Sequence, residues 1–328
     1  MTAIIILENC KLTDIVTVSK KAAGTGGSRL GLKTNDKISI NDLMYGLLLV
    51  SGNDTAVALA EYAAGSVENF VKMMNQKAKD LNLKDTNFIT PHGLDSEEHY
   101  TTAFELALIT DYALQNNKFA QIVNTKNYIV NINGTPKALS NTNELLGNLN
   151  GVNGVKTGFT NEANRCLVTS VKRDSMNIIT VVLGADTKKF RTSDSVKLIE
   201  YAYSNFKNVP IKDMINNKYK QWEADCKNSI VLNKGINRNV ETILEEYDKE
   251  FITIRNTEEN DIRIKIENEV YLEAPVQKNY IIGKIKLFVN NDEKLVVNIL
   301  NKEDIKRMNV LDFYISLITN NWKTMCEL

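Results

Sequence analysis

Apolar residues recur at helical spacing over much of the chain before residue 208. Residues 41–50 are almost continuously apolar after Asn41 and Asp42, so we predict a buried helix that either of these two residues caps. Ser51-Gly52-Asn53 interrupts this helix, and a second begins at Asp54. The same periodicity predicts helices over residues 66–82, 102–115 and 190–206, and residues 1–9 resemble the remainder of another.

Two runs of β-branched and aliphatic residues break the helical pattern. Residues 167–171 and 178–183 are separated by the polar segment 172–177, which is typical of a β-hairpin. Helices inserted between strands of one sheet predict an α/β domain over residues 1–207. From residue 208 to 300, short alternating segments follow one another at intervals of about ten residues, which predicts a small all-β domain.

The last segment, residues 301–328, returns to helical spacing. Lys302, Lys306 and Arg307 precede an apolar face made of Leu311, Tyr314, Ile315, Leu317, Ile318 and Trp322. This pattern fits an amphipathic helix that lies in a membrane interface, and it fits equally a helix packed on its own domain.

Composition excludes several classes of protein. The 40 basic residues balance the 40 acidic ones, so the chain has no excess positive charge that would indicate a nucleic-acid partner. With two histidines and no His-Glu-x-x-His, the chain is a poor zinc-peptidase candidate, and we expect neither a metal nor another cofactor. No signal peptide and no membrane-spanning apolar run are visible, so the sequence by itself predicts a cytosolic protein.

Ser51-Gly52-Asn53 is the first of two motifs that carry candidate chemistry. A tight break between helices would expose Ser51 and Asn53 on one wall of a cleft. There Ser51 could pass a proton and Asn53 could hydrogen-bond a substrate amide. Taken alone, the triplet is more typical of a capped loop.

Lys156-Thr157-Gly158, followed by Phe159, is the second motif. An edge strand at this point would let a peptide pair beside it. Lys156 would present an ammonium to a substrate carboxylate, Thr157 a hydroxyl, and Gly158 room for an acyl group to approach the backbone. The N–H of Phe159 would be an oxyanion donor. Taken alone, this motif is more typical of a surface turn.

Together, the order and separation of these motifs resemble those of the serine-type D-alanyl-D-alanine carboxypeptidases, the low-molecular-weight penicillin-binding proteins of peptidase family S11. The likeness extends over nearly the whole chain. Its blocks are residues 26–30, 43–54, 90–95, 100–103, 141–143, 151–159, 271–276 and 282–283. The resemblance implies an α/β fold, with a penicillin-binding/β-lactamase-like transpeptidase domain, a small C-terminal all-β domain and a C-terminal amphipathic helix.

The resemblance also implies an activity and a location. Family members remove the terminal D-alanine of peptidoglycan stem pentapeptides through an acyl-enzyme on a serine, which β-lactams also acylate. They work outside the cytoplasmic membrane, where a helix like that at 301–328 holds them at the membrane surface. On this interpretation the protein is extracytoplasmic, and the cytosolic prediction fails.

The family's functional residues can be matched position by position. Ser51 and Asn53 match the second motif, and Arg191 resembles an arginine that holds the terminal carboxylate, with a solvated helix residue as the alternative. His92 lies in a family block but is expected to be structural. The expected catalytic residues are Ser51, Asn53 and Phe159, and the expected substrate-binding residues are Lys156, Thr157, Gly158 and Arg191.

The chain departs from the family at its first residues. A Ser-x-x-Lys that carries the nucleophile and its base should precede Ser51, and none does, so we expect this chain to be inactive. Loss of the whole N-terminal segment favours an internal start or a truncated gene over an evolved pseudoenzyme. A non-catalytic peptidoglycan-binding protein remains the alternative. A class A β-lactamase-like hydrolase is disfavoured by the β domain and by the lack of an evident deacylating glutamate.

Overall fold

The computed structural model describes residues 1–226, 230–236, 240–312, 314, 315 and 318. The chain divides into two compact units, Met1–Ser204 and Asn205–Leu328. The boundary therefore falls three residues before the expected one at residue 207.

The first unit is built mainly of helices, and those predicted at 1–9, 41–50, 66–82, 102–115 and 190–206 are confirmed within a few residues. They are α1 (Thr2–Asn9), α2 (Lys20–Ala23), α3 (Ile40–Leu49), α4 (Asn53–Ala64), α5 (Val67–Asp80), α6 (Ala103–Leu114), α7 (Asn117–Val123) and α8 (Lys188–Asn205).

The predicted cap of α3 was wrong. Ser39, not Asn41 or Asp42, is the N-cap, and its side chain accepts a hydrogen bond from the backbone N–H of Asp42 at 3.1 Å. Asp42 lies in the first turn, where its carboxylate instead accepts the backbone N–H of Asn131 at 3.0 Å. This bond to residue 131 is long-range, so no local sequence pattern predicts it.

Strands of the first unit form three small sheets. A short pair joins β1 (Ile15–Thr17) to β2 (Lys37–Ser39), and a hairpin joins β3 (Asn127–Ile132) to β4 (Thr135–Ser140). The third sheet has the order β5 (Val152–Thr160), β6 (Asn164–Arg173) and β7 (Met176–Ala185), all antiparallel. The hairpin predicted around residues 172–177 is therefore confirmed.

The three-stranded sheet lies between two cores, because alternate side chains of a strand point to opposite faces. Val168 of β6 packs into the helical core, whereas Leu167 and Val171 of the same strand pack with Ile199 of α8 on the other face. Among the described strands, β5 has a partner on one side only. Its second edge is therefore available to a ligand.

The second unit contains the predicted β domain. Its strands are β8 (Phe206–Pro210), β9 (Val231–Asn233), β10 (Thr242–Leu244), β11 (Phe251–Arg255), β12 (Ile262–Asn268), β13 (Tyr271–Glu273), β14 (Ile281–Val289) and β15 (Asp292–Asn301). The largest sheet has the order β10-β15-β14-β12. One helix that was not predicted, α9 (Lys212–Cys226), precedes most of these strands.

The predicted helix over residues 301–328 begins later than expected. Asn301 still belongs to β15, and Ile305 pairs with Val276 in a β-bridge. Helical geometry follows at 310–312, 314, 315 and 318, while Leu317 and Trp322 lie outside the described residues. Within the described part of the chain, no helix has the length and apolar character needed to cross a membrane.

Candidate active site

The two sequence motifs line one cleft of the first unit. Its volume is about 850 Å³. All seven predicted site residues contribute to its wall: Ser51, Asn53, Lys156, Thr157, Gly158, Phe159 and Arg191. A second cavity of about 320 Å³ adjoins the same motifs and is lined by the start of α1. The fold thus brings together residues that lie about a hundred positions apart in sequence.

Ser51 occupies the sharp turn between α3 and α4. Its φ of 58° lies in the left-handed region, which a residue other than glycine seldom adopts. The next N–H, that of Gly52, donates to the carbonyl oxygen of Gly46 at 3.0 Å and so closes the end of α3. The turn leaves Ser51 half-buried on the cleft wall.

Asn53 is held to the loop at residues 26–28 by two hydrogen bonds. Its backbone N–H donates to the carbonyl oxygen of Ser28 at 2.8 Å, and its side-chain Nδ2 donates to that of Gly26 at 2.8 Å. The side chain is buried. These contacts hold the Asn53 amide in one orientation beside Ser51.

Asp54 anchors that loop in turn, a contact that the sequence did not predict. Its fully buried carboxylate accepts the backbone N–H groups of Leu30, Gly31 and Leu32 at 2.8, 2.8 and 3.0 Å. The sequence feature that could have indicated this role is an acidic residue directly after Ser-Gly-Asn, inside an apolar segment. Asp54 therefore positions the loop that positions Asn53.

Gly27 lies against the Asn53 side chain with a φ of 80°, and a Cβ there would overlap Nδ2 of Asn53. We expect Gly27→Ala to lower the free energy of unfolding by about 2 kcal/mol, through backbone strain and displacement of Asn53. Gly26→Ala is the matched control, because a Cβ at Gly26 meets nothing within 4 Å. Urea denaturation of both variants tests this. Equal stabilities would contradict the role given to Gly27.

Lys156 presents an unneutralised ammonium to the cleft. Its Nζ donates to the carbonyl oxygen of Thr157 at 2.9 Å, and no described carboxylate lies within 4.0 Å of it. Burial of the ammonium, and next the positive charge of Arg191, lower the pKa of Lys156 to about 8. An anion bound here would relieve both effects.

Thr157 is tied to the loop that closes the cleft beside β5. Its Oγ1 is hydrogen-bonded to Oγ1 of Thr142 at 2.7 Å, and the N–H of Thr142 donates to the carbonyl oxygen of Leu49 at 3.1 Å. Asn143 adds a bond from Nδ2 to the carbonyl oxygen of Gly154 at 3.0 Å. Residues 142 and 143 thus connect the end of α3 to β5 and fix the positions of these two segments relative to each other.

Gly158 and Phe159 continue β5 along the cleft. A Cβ at Gly158 would meet Cβ of Cys166 at 3.4 Å, an ordinary contact, so no close neighbour within the protein requires glycine there. Phe159 is 53% exposed, and the guanidinium of Arg165 stacks over its ring.

Arg191 is buried, with 3% of its surface exposed, so the alternative of a solvated helix residue is wrong. Its Nη2 lies 3.8 Å from Oε2 of Glu144, and its buried Nε has no hydrogen-bond partner. Burial lowers its pKa. A buried guanidinium with an unused donor at a cleft wall is suited to a carboxylate ligand.

His92 also lies on the cleft wall, and its contacts are structural. Its Nδ1 accepts the backbone N–H of Leu94 at 3.2 Å, and burial lowers its pKa. Within the described ranges, no group of three His, Cys, Asp or Glu side chains could hold a metal ion.

Two known family models match this chain, one in each of its two units. Residues 1–187 match the family model of D-alanyl-D-alanine carboxypeptidase, and residues 227–307 match that of the penicillin-binding protein 5 C-terminal domain. Among curated proteins, D-alanyl-D-alanine carboxypeptidase DacF of Bacillus subtilis is 33% identical over 319 residues, covering 95% of this chain and 79% of DacF. DacC of Escherichia coli is 35% identical over 296 residues, covering 86% and 69%.

Solved structures give the same relationship. Penicillin-binding protein 5 of Haemophilus influenzae superposes with a TM-score of 0.74 at 29% identity, covering 93% of this chain and 87% of that one. The Streptomyces K15 DD-transpeptidase superposes with a TM-score of 0.59 at 32% identity, covering 62% and 84%.

Proposed function

Because the chain belongs to the D-alanyl-D-alanine carboxypeptidase family, we propose that its cleft binds the D-Ala-D-Ala end of a peptidoglycan stem pentapeptide. One observation carries the proposal. Lys156 and Arg191, both buried enough to have lowered pKa values, share a cleft wall with Ser51 and Asn53. Two poorly neutralised cations beside hydrogen-bonding groups suit a ligand that ends in a carboxylate.

The terminal carboxylate lies among Lys156, Thr157 and Arg191 in this proposal, where the Lys156 ammonium is its charge partner. The hydroxyl of Thr157 and the unused Nε of Arg191 supply neutral and charged donors to it. The peptide backbone extends along the free edge of β5, where main-chain groups can pair with it as an added strand.

The remaining residues act at the amide that links the two D-alanines. Asn53 hydrogen-bonds the substrate amide; with a nucleophile present, Ser51 would also pass a proton and the N–H of Phe159 would stabilise the oxyanion. Gly158 leaves the acyl group room against the strand. The fixed orientation of Asn53 supports its role, since a preorganised donor loses little entropy on binding.

We propose further that residues 1–328, expressed by themselves, bind this peptide without forming an acyl-enzyme. The sequence holds no Ser-x-x-Lys ahead of Ser51, so the family's nucleophile and base are not supplied from within it. A non-catalytic peptidoglycan-binding role is the second candidate, and the same observation favours it. β-Lactams would then occupy the cleft reversibly.

We propose an extracytoplasmic location at the membrane surface, because the family acts on peptidoglycan. An extracytoplasmic protein at the membrane surface would meet peptidoglycan, and the apolar residues Leu311, Tyr314 and Ile315 are exposed as an interfacial helix requires. The basic residues Lys302, Lys306 and Arg307, just before them, would add attraction to anionic lipid.

The test uses residues 1–328 and acetylated tripeptides. We expect calorimetric titration to detect reversible binding of a peptide ending in D-Ala-D-Ala, and much weaker binding of matched peptides ending in D-Ala-L-Ala or in an amide. Intact mass after exposure to a fluorescent penicillin should be unchanged. A stable serine adduct would disprove the inactivity, and equal affinity for all three peptides would disprove the binding role.

A further inference from the structure

The outer face of the largest sheet in the second unit carries a stripe of cations. The inner face packs into the core of this unit, while the outer residues of β12 and β14 are exposed or half-buried. In the antiparallel register, Lys265 of β12 lies directly opposite Lys286 of β14. Arg263 is two residues from this pair at one end, and Lys284 is two residues from it at the other. These four residues form the cationic stripe, which runs obliquely across the two strands for about 13 Å.

The cationic stripe is only partly neutralised within the described part of the chain. Nζ of Lys286 lies 2.7 Å from Oε2 of Glu267. No described carboxylate lies within 4.0 Å of the other three cations, Arg263, Lys265 and Lys284. The hydrogen bond from Lys286, and next the charges of Lys286, Lys265 and Lys284, lower the pKa of Glu267. One carboxylate is therefore shared among three lysines, and the arginine has none.

The paired lysines carry an electrostatic cost that a bound anion would offset. Like charges directly opposite each other on neighbouring strands destabilise a sheet, because their Cβ atoms are only about 5 Å apart. Nζ of Lys265 lies 5.7 Å from the centre of the Phe288 ring, a cation–π contact that holds the ammonium over the sheet. Glu293 of β15, opposite Phe288, adds a second acid beside Glu267. Four cations against these two acids leave the face with a net positive charge.

The length and surroundings of the cationic stripe favour one class of anion, a linear phosphate polymer without bases. A single phosphate or carboxylate would contact only part of a stripe of this length. A nucleic acid would also need exposed aromatic rings for base stacking, whereas Phe288 is half-buried beneath Lys265. A membrane surface would need long apolar side chains that insert, whereas β15 places the short residues Val296 and Asn298 beside the stripe.

We propose that the cationic stripe binds a linear phosphodiester polymer, with one phosphate at the paired lysines and its neighbours at Arg263 and Lys284. Phosphate oxygens accept charge-assisted hydrogen bonds from guanidinium and ammonium groups alike. The stripe lies wholly within the second unit, so this binding does not rest on the function proposed for the cleft. It would tether the protein to an anionic polymer and leave the cleft free.

The test measures binding of residues 1–328 to an end-labelled synthetic poly(glycerol phosphate) by fluorescence anisotropy. We expect the logarithm of the affinity to fall with that of the salt concentration at a slope of about −2, since each of three neutralised phosphates contributes about −0.7. Lys265→Gln combined with Lys284→Gln should lower the low-salt affinity at least about tenfold and bring the slope near −0.7. The control combines Lys212→Gln with Lys220→Gln, which removes two exposed charges from α9. It should change neither quantity, because α9 packs on the inner face of the sheet.

A further variant should change the affinity in the opposite direction. Glu267→Gln removes the carboxylate that holds Lys286 and repels phosphate, so we expect binding about threefold tighter than that of the wild type. Misfolding cannot produce this gain, which keeps the test independent of any loss of stability in the lysine variants.

Several results would overturn the proposal. They are the absence of binding to poly(glycerol phosphate), an equal loss in the lysine variant and the α9 control, and weaker binding by Glu267→Gln. Binding to phosphatidylglycerol vesicles without binding to the soluble polymer would assign the stripe to a lipid surface instead. Tighter binding of oligothymidylate than of poly(glycerol phosphate) would assign it to a nucleic acid.

Discussion

Replacement of Asp54 by alanine is expected to lower the free energy of unfolding by about 3–5 kcal/mol. The carboxylate is fully buried and accepts three consecutive backbone N–H groups, those of Leu30, Gly31 and Leu32. Truncation leaves these donors without their partner, and the N–H groups of Leu30 and Leu32, which are buried, cost free energy when they are unpaired. Arg29, whose Nε lies 3.9 Å from the carboxylate, would also lose this ionic contact.

Urea denaturation measures this effect, since a loss of stability lowers the midpoint without changing the slope. Asp80→Ala is the control: Asp80 is exposed, it bonds only Gln76 at 2.8 Å, and its loss should cost less than about 0.5 kcal/mol. The Asp54 variant should also bind the D-Ala-D-Ala peptide more weakly where it is still folded, because the loop that orients Asn53 loosens. Equal effects of the two substitutions would refute this account.

The sequence predicted most of the fold where apolar periodicity was strong, and it failed where periodicity was weak. The hairpin of β3 and β4 was not predicted, although Asn133 and Gly134, with φ of 53° and 80°, form the Asn-Gly turn typical of hairpins. Its strands are largely exposed and do not alternate clearly. Helix α9 was missed because polar residues dominate it and the apolar ones are sparse.

At the site, contiguous motifs were predictable and long-range contacts were not. Ser-Gly-Asn and Lys-Thr-Gly are local patterns, and their residues line one cleft, while the roles given to them stay predictions. The contact of Asp54 with residues 30–32 depends on how the loop folds back onto α4. The stacking of Arg165 on Phe159 depends on the register of β5 and β6, which a one-residue shift would abolish.

Lys156→Met is expected to change ligand binding and stability in opposite directions. Loss of the ammonium should weaken binding of the D-Ala-D-Ala peptide by at least about thirtyfold, the usual result of removing one partner of a buried charge pair. At pH 7, however, the free variant should be more stable than the wild type. A lysine whose pKa is lowered from 10.5 to about 8 carries a buried charge that the folded state disfavours, and methionine removes that penalty.

The pH dependence gives the sharper test, because the sign follows from the lowered pKa. In the wild type the ammonium is present below pH 8, so peptide affinity should be full there and fall as pH rises through about 8. Stability of the free protein should rise between pH 8 and 10.5, where the unfolded chain binds the proton that the folded chain has released. Lys156→Met should lack both changes, whereas Lys72→Met, at an exposed position on α5, should keep them. A wild-type affinity that is flat across pH 8 would mean that the Lys156 ammonium does not contact the carboxylate.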